Sequence, residues 1–363
     1  MSWVKVESLG DRIFLLSNFS TSVPVSAAQF GAKGNCIYFF PRLKRDLCCF
    51  NMEDGIILIT RPCPSRLSHW GGLFWVVPDW KTQVKKEVAE VTEEIQVNNS
   101  VIPADILHII FQSLFLGDSI RFRLACKVFI SLTPPVRSFH ILQTLPYSQH
   151  LPWLISFPRN KEEICHSYHP IYTDSYIMNL PQLAGAVVRD AKFGWLLMSL
   201  GNGSIFFFNP FTTETIKLPD YNYCAFVNAS FSSPPTSLDC VVFGHLLSWE
   251  SFVCMSVYRK SDNRWSSHFL DGLPYTFIPS LCNAVFHGGV FYSLGKDGML
   301  GIFNPNESNE KDMWRVYTNL SVPDLTLSAP LGHFKVNTRS FIMQCEGQIF
   351  CVFVGYVGSP VSV

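Results

Sequence analysis

The closest approach to a metal-binding cluster in the sequence is a short run of cysteine and histidine. Cys165, His166 and His169 lie together, with only two residues between the histidines. A structural zinc site needs four ligands in a closed geometry, and the sequence offers neither an evident fourth ligand nor any C-x-x-C pair. We therefore interpret these three as ordinary loop residues and expect no metal and no other cofactor.

Motifs that bind nucleotides or activate nucleophiles are missing from the sequence. It contains neither a G-x-x-x-x-G-K-[ST] phosphate loop nor a G-x-S-x-G nucleophile elbow, and its serine, histidine and aspartate residues show no local triad arrangement. Nucleotide-dependent chemistry and serine-hydrolase chemistry therefore have no support in the sequence. An enzymatic alternative would require a pocket of convergent polar groups with perturbed pKa values.

The charge balance argues against polyanionic partners. Lysine plus arginine and aspartate plus glutamate each number 28, so no net field attracts the chain to nucleic acid or to an acidic membrane. No apolar run approaches the length of about 18 residues that a membrane span needs, and the first residues carry no targeting pattern, so we expect a soluble, unsecreted protein. The twelve cysteines lie inside apolar runs, which is typical of buried, reduced thiols.

Most of the chain has the pattern of a β-protein. Aromatic residues make up 14% and charged residues only 15%, a balance that suits short, packed strands. Three segments share one pattern, a strand, a glycine turn and a second strand ending in asparagine: Gly34 to Asn51, Gly194 to Asn209, and Gly288 to Asn304. A small sheet that repeats about every 45 to 50 residues predicts propeller blades, so the predicted fold is mainly β with kelch-like β-propeller repeats.

A different pattern separates the two β-rich regions. Residues 81–100 are charged and almost free of large apolar side chains, so we interpret them as a linker. Apolar residues then recur every three or four positions, as in a helix: Ile106, Leu107, Ile110, Phe111 and Leu114. A helical module of about 35 residues is too small to bury so many apolar groups, so we expect some to contact another chain. The alternative is that all of them form the module's own core.

This helical segment resembles the plant F-box. Its sequence, VIPADILHIIFQSLFLGDSIRFRLACKVFISLTPP, has Ile102-Pro103 where the F-box usually opens with Leu-Pro, and Phe129 where tryptophan is usual. The resemblance implies a three-helix F-box at residues 101–140 that binds a Skp-type adaptor. The adaptor-binding residues it implies are Ile102, Pro103, Leu107, Ile110, Leu114, Cys126, Lys127 and Phe129.

Residues 150–363 resemble the kelch-like β-propeller of unknown function that follows the F-box in a large plant family. The run from Phe206 to Thr212 and the pair Leu218-Pro219 carry much of this likeness. The order differs, because residues 1–80 resemble the last part of that propeller yet precede the F-box. Two arrangements stay open: this β-rich segment closes the ring, or it is the end of a fused neighbouring protein and two incomplete propellers result.

The resemblance implies a function without covalent chemistry. The chain would be the substrate-recognition subunit of a Skp–cullin–F-box ubiquitin ligase, with its F-box on the adaptor of the cullin–RING ligase and its propeller on an unknown protein target. The family also implies the nucleus or cytoplasm. The alternative is a propeller interaction protein, or a decayed family member, that no longer binds the adaptor because of Phe129 and the rotated order of the propeller segments.

Several aromatic residues could form a recognition surface on the propeller: Trp70, Trp75, Trp80, Tyr221 and Tyr223. We predict instead that they pack in the core or between blades, because aromatic side chains are used heavily in both places.

Overall fold

A computed structural model describes most of the two β-rich regions and three residues of the helical segment. The described residues are 3–17, 21–40, 47–60, 70–77, 106, 109–110, 152–158, 164–169, 174–201, 203–210, 214–221, 226–246, 253–270, 277–295, 298–318, 339–354 and 361–362.

These residues form six antiparallel or mixed sheets, which we call blades 1 to 6 in chain order. Blade 1 contains β1 (Arg12–Leu15), β2 (Val23–Ser26), β3 (Cys36–Phe39), β4 (Leu47–Asn51) and β5 (Ile57–Thr60). Blade 2 contains β6 (Trp70–Val76), β7 (Trp153–Pro158), β8 (Ile164–His169) and β9 (Asp174–Asn179). Blade 3 contains β10 (Val187–Lys192), β11 (Trp195–Ser199), β12 (Ile205–Phe208) and β13 (Thr215–Lys217).

The remaining three blades come from the last part of the chain. Blade 4 contains β14 (Phe226–Phe231), β15 (Val241–Leu246), β16 (Val253–Arg259) and β17 (Arg264–Leu270). Blade 5 contains β18 (Val285–His287), β19 (Val290–Leu294), β20 (Leu300–Phe303) and β21 (Trp314–Tyr317). Blade 6 contains β22 (Arg339–Cys345), β23 (Gln348–Val354) and β24 (Val361–Ser362). Two short helices, α1 (Ala27–Phe30) and α2 (Glu310–Met313), and a 3-10 turn (Pro181–Leu183) connect strands.

Blades 2 to 6 are meanders, in which neighbouring strands follow one another in the chain. Blade 1 departs from this plan, because its order is β2-β1-β3-β4-β5 and β1 runs parallel to β3. Parallel neighbours need a crossover, and here β2 and α1 provide it.

The six blades form a closed ring, because a separate hydrophobic core fills each seam between neighbours. In each seam, buried side chains from both neighbouring blades belong to the same core. One pair from each core is Trp75 with Leu15, Phe74 with Leu196, Phe207 with Phe231, Phe243 with Phe291, Leu294 with Ile342, and Val352 with Phe14. Blade 1 therefore lies between blade 6 and blade 2, so residues 12–60 complete the ring that the later residues begin. The prediction of a mainly β propeller is confirmed.

Strands within the ring are buried on both faces, which explains their continuous apolar sequences. In β12, Phe206 and Phe208 belong to the core shared with blade 2, whereas Ile205 and Phe207 belong to the core shared with blade 4. Successive side chains of a strand point to opposite faces, so a run such as Ile205–Phe208 fills two seams at once. Full burial of each such side chain stabilises the fold by about 1.5–3 kcal/mol.

The first strand of each of blades 2 to 6 is the inner one, since β10 contacts both β6 and β14, and β18 contacts β22. The inner strands run in one direction: Arg189 near the start of β10 donates to the Phe226 carbonyl, and Lys192 at its end donates to the Phe231 carbonyl. We call the face where inner strands begin the start face, and the face where they finish the end face.

Tight turns join the inner strand to the second strand in three blades. The turn residues Phe193-Gly194, Gly288-Gly289 and Glu346-Gly347 all have positive φ angles. Two consecutive residues with positive φ define the type I′ turn, whose twist matches that of the flanking strands. All three turns therefore lie on the end face.

The predicted three-helix module falls largely outside the described residues. Of residues 101–140 only Ile106, Ile109 and Ile110 are described, and all three are helical. Within the described part of the chain, no helix has the length and hydropathy needed to cross a membrane.

Candidate functional site

The helical segment is inserted into the end face of the propeller, between the first two strands of blade 2. Val76 at the end of β6 pairs directly with Trp153 at the start of β7, so residues 77–152 leave and return at adjacent points. The same connection in blade 3 is the two-residue turn between Lys192 and Trp195. A position that needs only a tight turn tolerates an insertion, because no ladder hydrogen bond is lost.

The described residues of this insert present apolar side chains to solvent. Ile106, Ile109 and Ile110 are 47%, 57% and 37% exposed. Residues three and four apart on a helix share one face, so the three isoleucines form a single apolar stripe. Ile110 belongs to the adaptor-binding set predicted from the sequence, whereas Ile106 and Ile109 do not.

The rest of that predicted set lies outside the described residues and stays a prediction: Ile102, Pro103, Leu107, Leu114, Cys126, Lys127 and Phe129. Helical spacing alone could have added Ile106 and Ile109 to the set, because both lie within one turn of Ile110.

The centre of the ring is closed by a buried aspartate. Asp190, on β10 of blade 3, is fully buried, and its Oδ1 accepts hydrogen bonds from the Thr21 backbone N–H at 2.8 Å and from Asn283 Nδ2 at 3.0 Å. Thr21 belongs to blade 1, and Asn283 precedes the inner strand of blade 5. The Lys192 ammonium lies 3.3 Å from Asp190 Oδ2 and offsets its charge. One side chain thus joins three blades that are not neighbours.

A second buried polar group lies beside it in blade 4. Asn228 Nδ2 donates to the carbonyls of Ser280 and Cys282 at 2.9 and 3.0 Å, so its Oδ1 is left to accept from His245 Nδ1 at 2.9 Å. These partners assign the His245 proton to Nδ1. A register shift precedes Asn228 in β14, as one precedes Asp190 in β10, and such bulges redirect a side chain.

His245 is a structural group, since burial lowers its pKa to about 3 and keeps the imidazole neutral. Its ring packs against Phe243, Phe277 and Trp314 at centroid distances of 5.0, 5.9 and 5.7 Å. A neutral, enclosed imidazole cannot exchange protons with a substrate, so it offers no general acid or base.

Buried thiols also lack the properties of nucleophiles. Burial raises the pKa of Cys36 to about 12 and the pKa values of Cys240 and Cys282 to about 11. Reactive cysteines have lowered pKa values and partial exposure, so these thiols behave as small apolar groups. The nine cysteines that the structure describes are all free thiols.

The candidate metal cluster of the sequence lies on a strand. Cys165, His166 and His169 lie on strand β8, so their interpretation as loop residues was wrong. Alternation along a strand points Cys165 and His166 to opposite faces, and Cys165 is buried in the core between blades 2 and 3. Among the described residues, no group of three or more potential ligands could hold a metal ion.

Two of the aromatic residues considered for recognition pack between blades, as predicted. Trp75 is fully buried between blades 1 and 2, and Tyr221 is 5% exposed between blades 3 and 4. Trp80, Tyr223 and the side chain of Trp70 lie outside the described residues.

The start face carries exposed apolar side chains around the closed centre. Val187 begins β10 and is 51% exposed, and Ile278 and Leu281, in the segment before β18, are 43% and 58% exposed. Asn228 and Asn283 hold that segment in place through four hydrogen bonds. The propeller therefore offers an apolar surface on the face opposite the points where the insert leaves and returns.

Comparison with known proteins agrees with this architecture. A family model described as the KIB1-4 beta-propeller matches residues 1–56 and 167–361, more than half of the chain. The chain belongs to the KIB1-4 β-propeller family. The match stops before the insert and resumes after it, so family membership rests on both β-rich regions.

Curated relatives are plant F-box proteins. An F-box/kelch-repeat protein of Arabidopsis thaliana is 32% identical over 213 residues, which cover 56% of each chain. An F-box protein of the same plant is 29% identical over 254 residues, covering 70% of this chain and 63% of that protein. The resemblance to plant F-box proteins with a kelch-like propeller is confirmed. The chain spans less than two thirds of the length of these relatives.

Solved structures give only a distant likeness. YCF48 from Cyanidioschyzon merolae is 12% identical with a TM-score of 0.33, covering 58% of this chain and 78% of that one. A likeness this weak carries no argument about function.

Proposed function

We propose that this KIB1-4 family member is a non-catalytic substrate-recognition subunit of a Skp–cullin–F-box ubiquitin ligase. Residues 101–140 form a three-helix F-box that binds the Skp-type adaptor, and the propeller binds a protein target. The observation that carries the proposal is the exposed isoleucine stripe of an insert that stands where blade 3 has a two-residue turn. The names of the Arabidopsis relatives support it.

The physical task of such a subunit is proximity. A RING-type ligase passes ubiquitin from its conjugating enzyme to the target, so the receptor needs only to hold the two together and raise their effective concentration. The buried, neutral His245 and the high-pKa thiols agree with a protein that does no covalent chemistry itself.

A pull-down with a purified Skp-type adaptor tests the proposal. We expect the wild type to bind, and Ile106→Asp with Ile110→Asp to weaken binding at least about 100-fold, because apolar anchors dominate such interfaces and a buried unpaired charge adds a further penalty. Leu238→Asp is the matched control, since Leu238 is 71% exposed on the propeller. Absence of binding by the wild type, or equal loss in the control, would count against the assignment.

A second candidate function is a propeller interaction protein that has lost the adaptor. Phe129 favours it, because this position usually carries tryptophan in the F-box, and the smaller ring fills less of an interface. The variant Phe129→Trp separates the two candidates. Adaptor binding that appears only in this variant identifies a decayed F-box, whereas binding by both proteins supports the ligase subunit.

The compartment is part of the same proposal. A ligase subunit of this kind works in the nucleus or cytoplasm, which a fluorescently tagged chain would reveal by imaging. A signal confined to the secretory pathway would contradict the proposal, because its reduced thiols and its adaptor both require a reducing compartment.

A further inference from the structure

The connection between α1 and β3 in blade 1 carries an exposed lysine. The side chain of Lys33 is 67% exposed, and its ammonium lies 2.7 Å from the carboxylate of Glu53, whose side chain is 66% exposed. An ion pair between two solvent-exposed side chains is weak, because water screens it and holding both side chains in place costs entropy. The pair therefore opens readily and leaves the Lys33 amine accessible from solvent.

Hydrogen bonds place Lys33 on the end face of the propeller. The Asn35 N–H donates to the Arg12 carbonyl at 2.9 Å, so the chain next to Lys33 lies beside the start of β1. Arg12 Nε donates in turn to the Glu346 carboxylate at 3.1 Å, and Glu346 belongs to the end-face turn of blade 6. Lys33 therefore lies on the face from which the insert leaves and to which it returns.

The residues just before Lys33 pack beside the two ends of the insert. The ring of Phe30, the last residue of α1, lies 6.3 Å from the ring of Trp75. Phe30 and Ala32 pack in the same core as Trp75 and Leu154. Trp75 and Leu154 are each one residue away from the strand pair at which the insert leaves and returns. The seam between blades 1 and 2 thus holds Lys33 close to the base of the insert.

Two further lysines close to the end face are bonded to the propeller itself. Lys192 finishes the inner strand of blade 3, and its Nζ donates to the Phe231 carbonyl at 3.0 Å. Lys260 follows the third strand of blade 4, and its Nζ donates to the Pro235 carbonyl. An amine held in this way must give up a bond to the backbone before it can react. Lys33 gives up only an exposed carboxylate, which water replaces.

We propose that Lys33 is a ubiquitin acceptor on which the assembled ligase modifies its own recognition subunit, an inference that rests on the proposed function. The neutral amine of Lys33 attacks the carbonyl carbon of the thioester that joins ubiquitin to the conjugating enzyme. The C–N bond of an amide forms, the C–S bond of the thioester breaks, and the proton of the amine passes to the departing thiolate. Because the insert connects the ligase to the end face, the effective concentration of the thioester is high near Lys33.

A reconstituted reaction with the full chain and no target tests the proposal. The chain is mixed with the purified Skp-type adaptor, the cullin–RING ligase, the charged conjugating enzyme and free ubiquitin. Peptide mass spectrometry then measures the initial rate at which ubiquitin appears on each lysine. Transfer of ubiquitin to free lysine in the same samples checks that the ligase is active.

The matched control is Lys217, an exposed lysine at the end of β13. β13 is the fourth strand of a meander, so it finishes towards the start face, away from the insert. We expect ubiquitin to appear on Lys33 at least about tenfold faster than on Lys217, because the insert raises the effective concentration at the end face. Lys33→Arg keeps the positive charge and should remove this modification without changing adaptor binding.

The variant Ile106→Asp with Ile110→Asp tests whether proximity is the cause. It weakens adaptor binding but leaves Lys33 intact, so the rate at Lys33 should fall at least about tenfold. Equal rates at Lys33 in this variant and in the wild type overturn the proposal. A faster rate at Lys33 than at Lys217 that falls in this variant supports it.

A pull-down on the same samples separates the two possible failures. A chain that binds the adaptor but is modified no faster at Lys33 than at Lys217 overturns this inference and leaves the proposed function intact. A chain that does not bind the adaptor overturns both.

Discussion

Blades 2 and 3 share one order of strands but differ in the connection between their first two strands. In each, the second strand opens with a buried tryptophan, Trp153 or Trp195, opposite the last residue of the inner strand. A two-residue turn joins these strands in blade 3, whereas residues 77–152 join them in blade 2. The comparison shows that strand pairing and seam packing, rather than a short connection, fix the geometry of a blade.

The inner strands of the two blades also differ in what they present to the centre. Asp190 pairs opposite Leu197 in blade 3, and Phe74 occupies the equivalent place opposite Ile155 in blade 2. Blade 3 thus contributes the polar group that joins distant blades, while blade 2 contributes an apolar side chain to a local core.

Removal of either tryptophan should produce the largest decrease in the free energy of unfolding, and it tests whether the two blades are packed alike. We expect Trp153→Ala and Trp195→Ala each to lower the free energy of unfolding by about 3–5 kcal/mol, because each leaves a cavity in a seam. Chemical denaturation measures both. A loss below about 1 kcal/mol for Trp153→Ala alone would show that blade 2 is not packed like blade 3.

Loss of the Asp190 carboxylate should give the second-largest decrease in the free energy of unfolding. Asp190→Ala leaves the Thr21 N–H and Asn283 Nδ2 without this acceptor in a buried place, so we expect a cost of about 2–4 kcal/mol. The exposed Asp262→Ala is the control, for which we expect a change within about 0.5 kcal/mol. Equal small changes in both variants would deny Asp190 its role in joining the blades.

Replacement of the insert in blade 2 by a two-residue turn like that of blade 3 tests directly whether strand pairing and seam packing fix the geometry of the blade. We expect a chain in which Asn-Gly replaces residues 77–152 to keep the circular dichroism of the propeller, because Val76 and Trp153 already pair like Lys192 and Trp195. Because closing a shorter loop costs less conformational entropy, the free energy of unfolding should rise by up to ~3 kcal/mol. The product should lose adaptor binding entirely. An unfolded product would mean that the insert supports the ring.

The polar centre extends from blade 3 into blade 4, where pH provides a test. The pKa of His245 is lowered in the folded state, so the unfolded chain binds the proton more tightly and stability falls as pH decreases from about 6.5 towards 3. We expect about 1.4 kcal/mol of lost stability per pH unit in that window. Denaturation of His245→Gln, which keeps a donor but does not titrate there, should show a shallower pH dependence. Identical slopes would contradict the prediction.

A substitution in the Phe193-Gly194 turn of blade 3, which has no counterpart in blade 2, should give the smallest change in the free energy of unfolding. Gly194 has a φ angle of 75°, so Gly194→Ala should cost about 1 kcal/mol. Thermal unfolding measures this loss, and an unchanged unfolding temperature would contradict the type I′ turn.

Local patterns made the propeller predictable from the sequence. The repeats from Gly194 to Asn209 and from Gly288 to Asn304 each predict a turn and two strands, because these elements depend on residues that are close together in the chain. The closure of the ring by residues 12–60 depends on seams between distant segments, such as Trp75 against Leu15, and no local pattern encodes these.

Individual site residues were harder to predict for the same reason. Asp190 lies in an ordinary strand sequence, and its partners Thr21 and Asn283 are distant in the chain, so nothing in the sequence marks it as central. His166 and His169 read as loop residues because polar groups interrupt the apolar run, yet pairing with β9 holds both in β8. The helical period of the insert correctly predicted a helix at Ile106 and Ile110, because that period is again local.

The pairing of Val76 with Trp153 has a consequence for proteolysis. A protease that cuts the insert once would divide the chain into a fragment that contributes blade 1 and β6 and a fragment that contributes the rest of the ring. Hydrogen bonds between β6 and β7 and the seams on either side of blade 1 would still hold these fragments together. A nicked chain should therefore migrate as two bands under denaturing conditions and as one species in gel filtration.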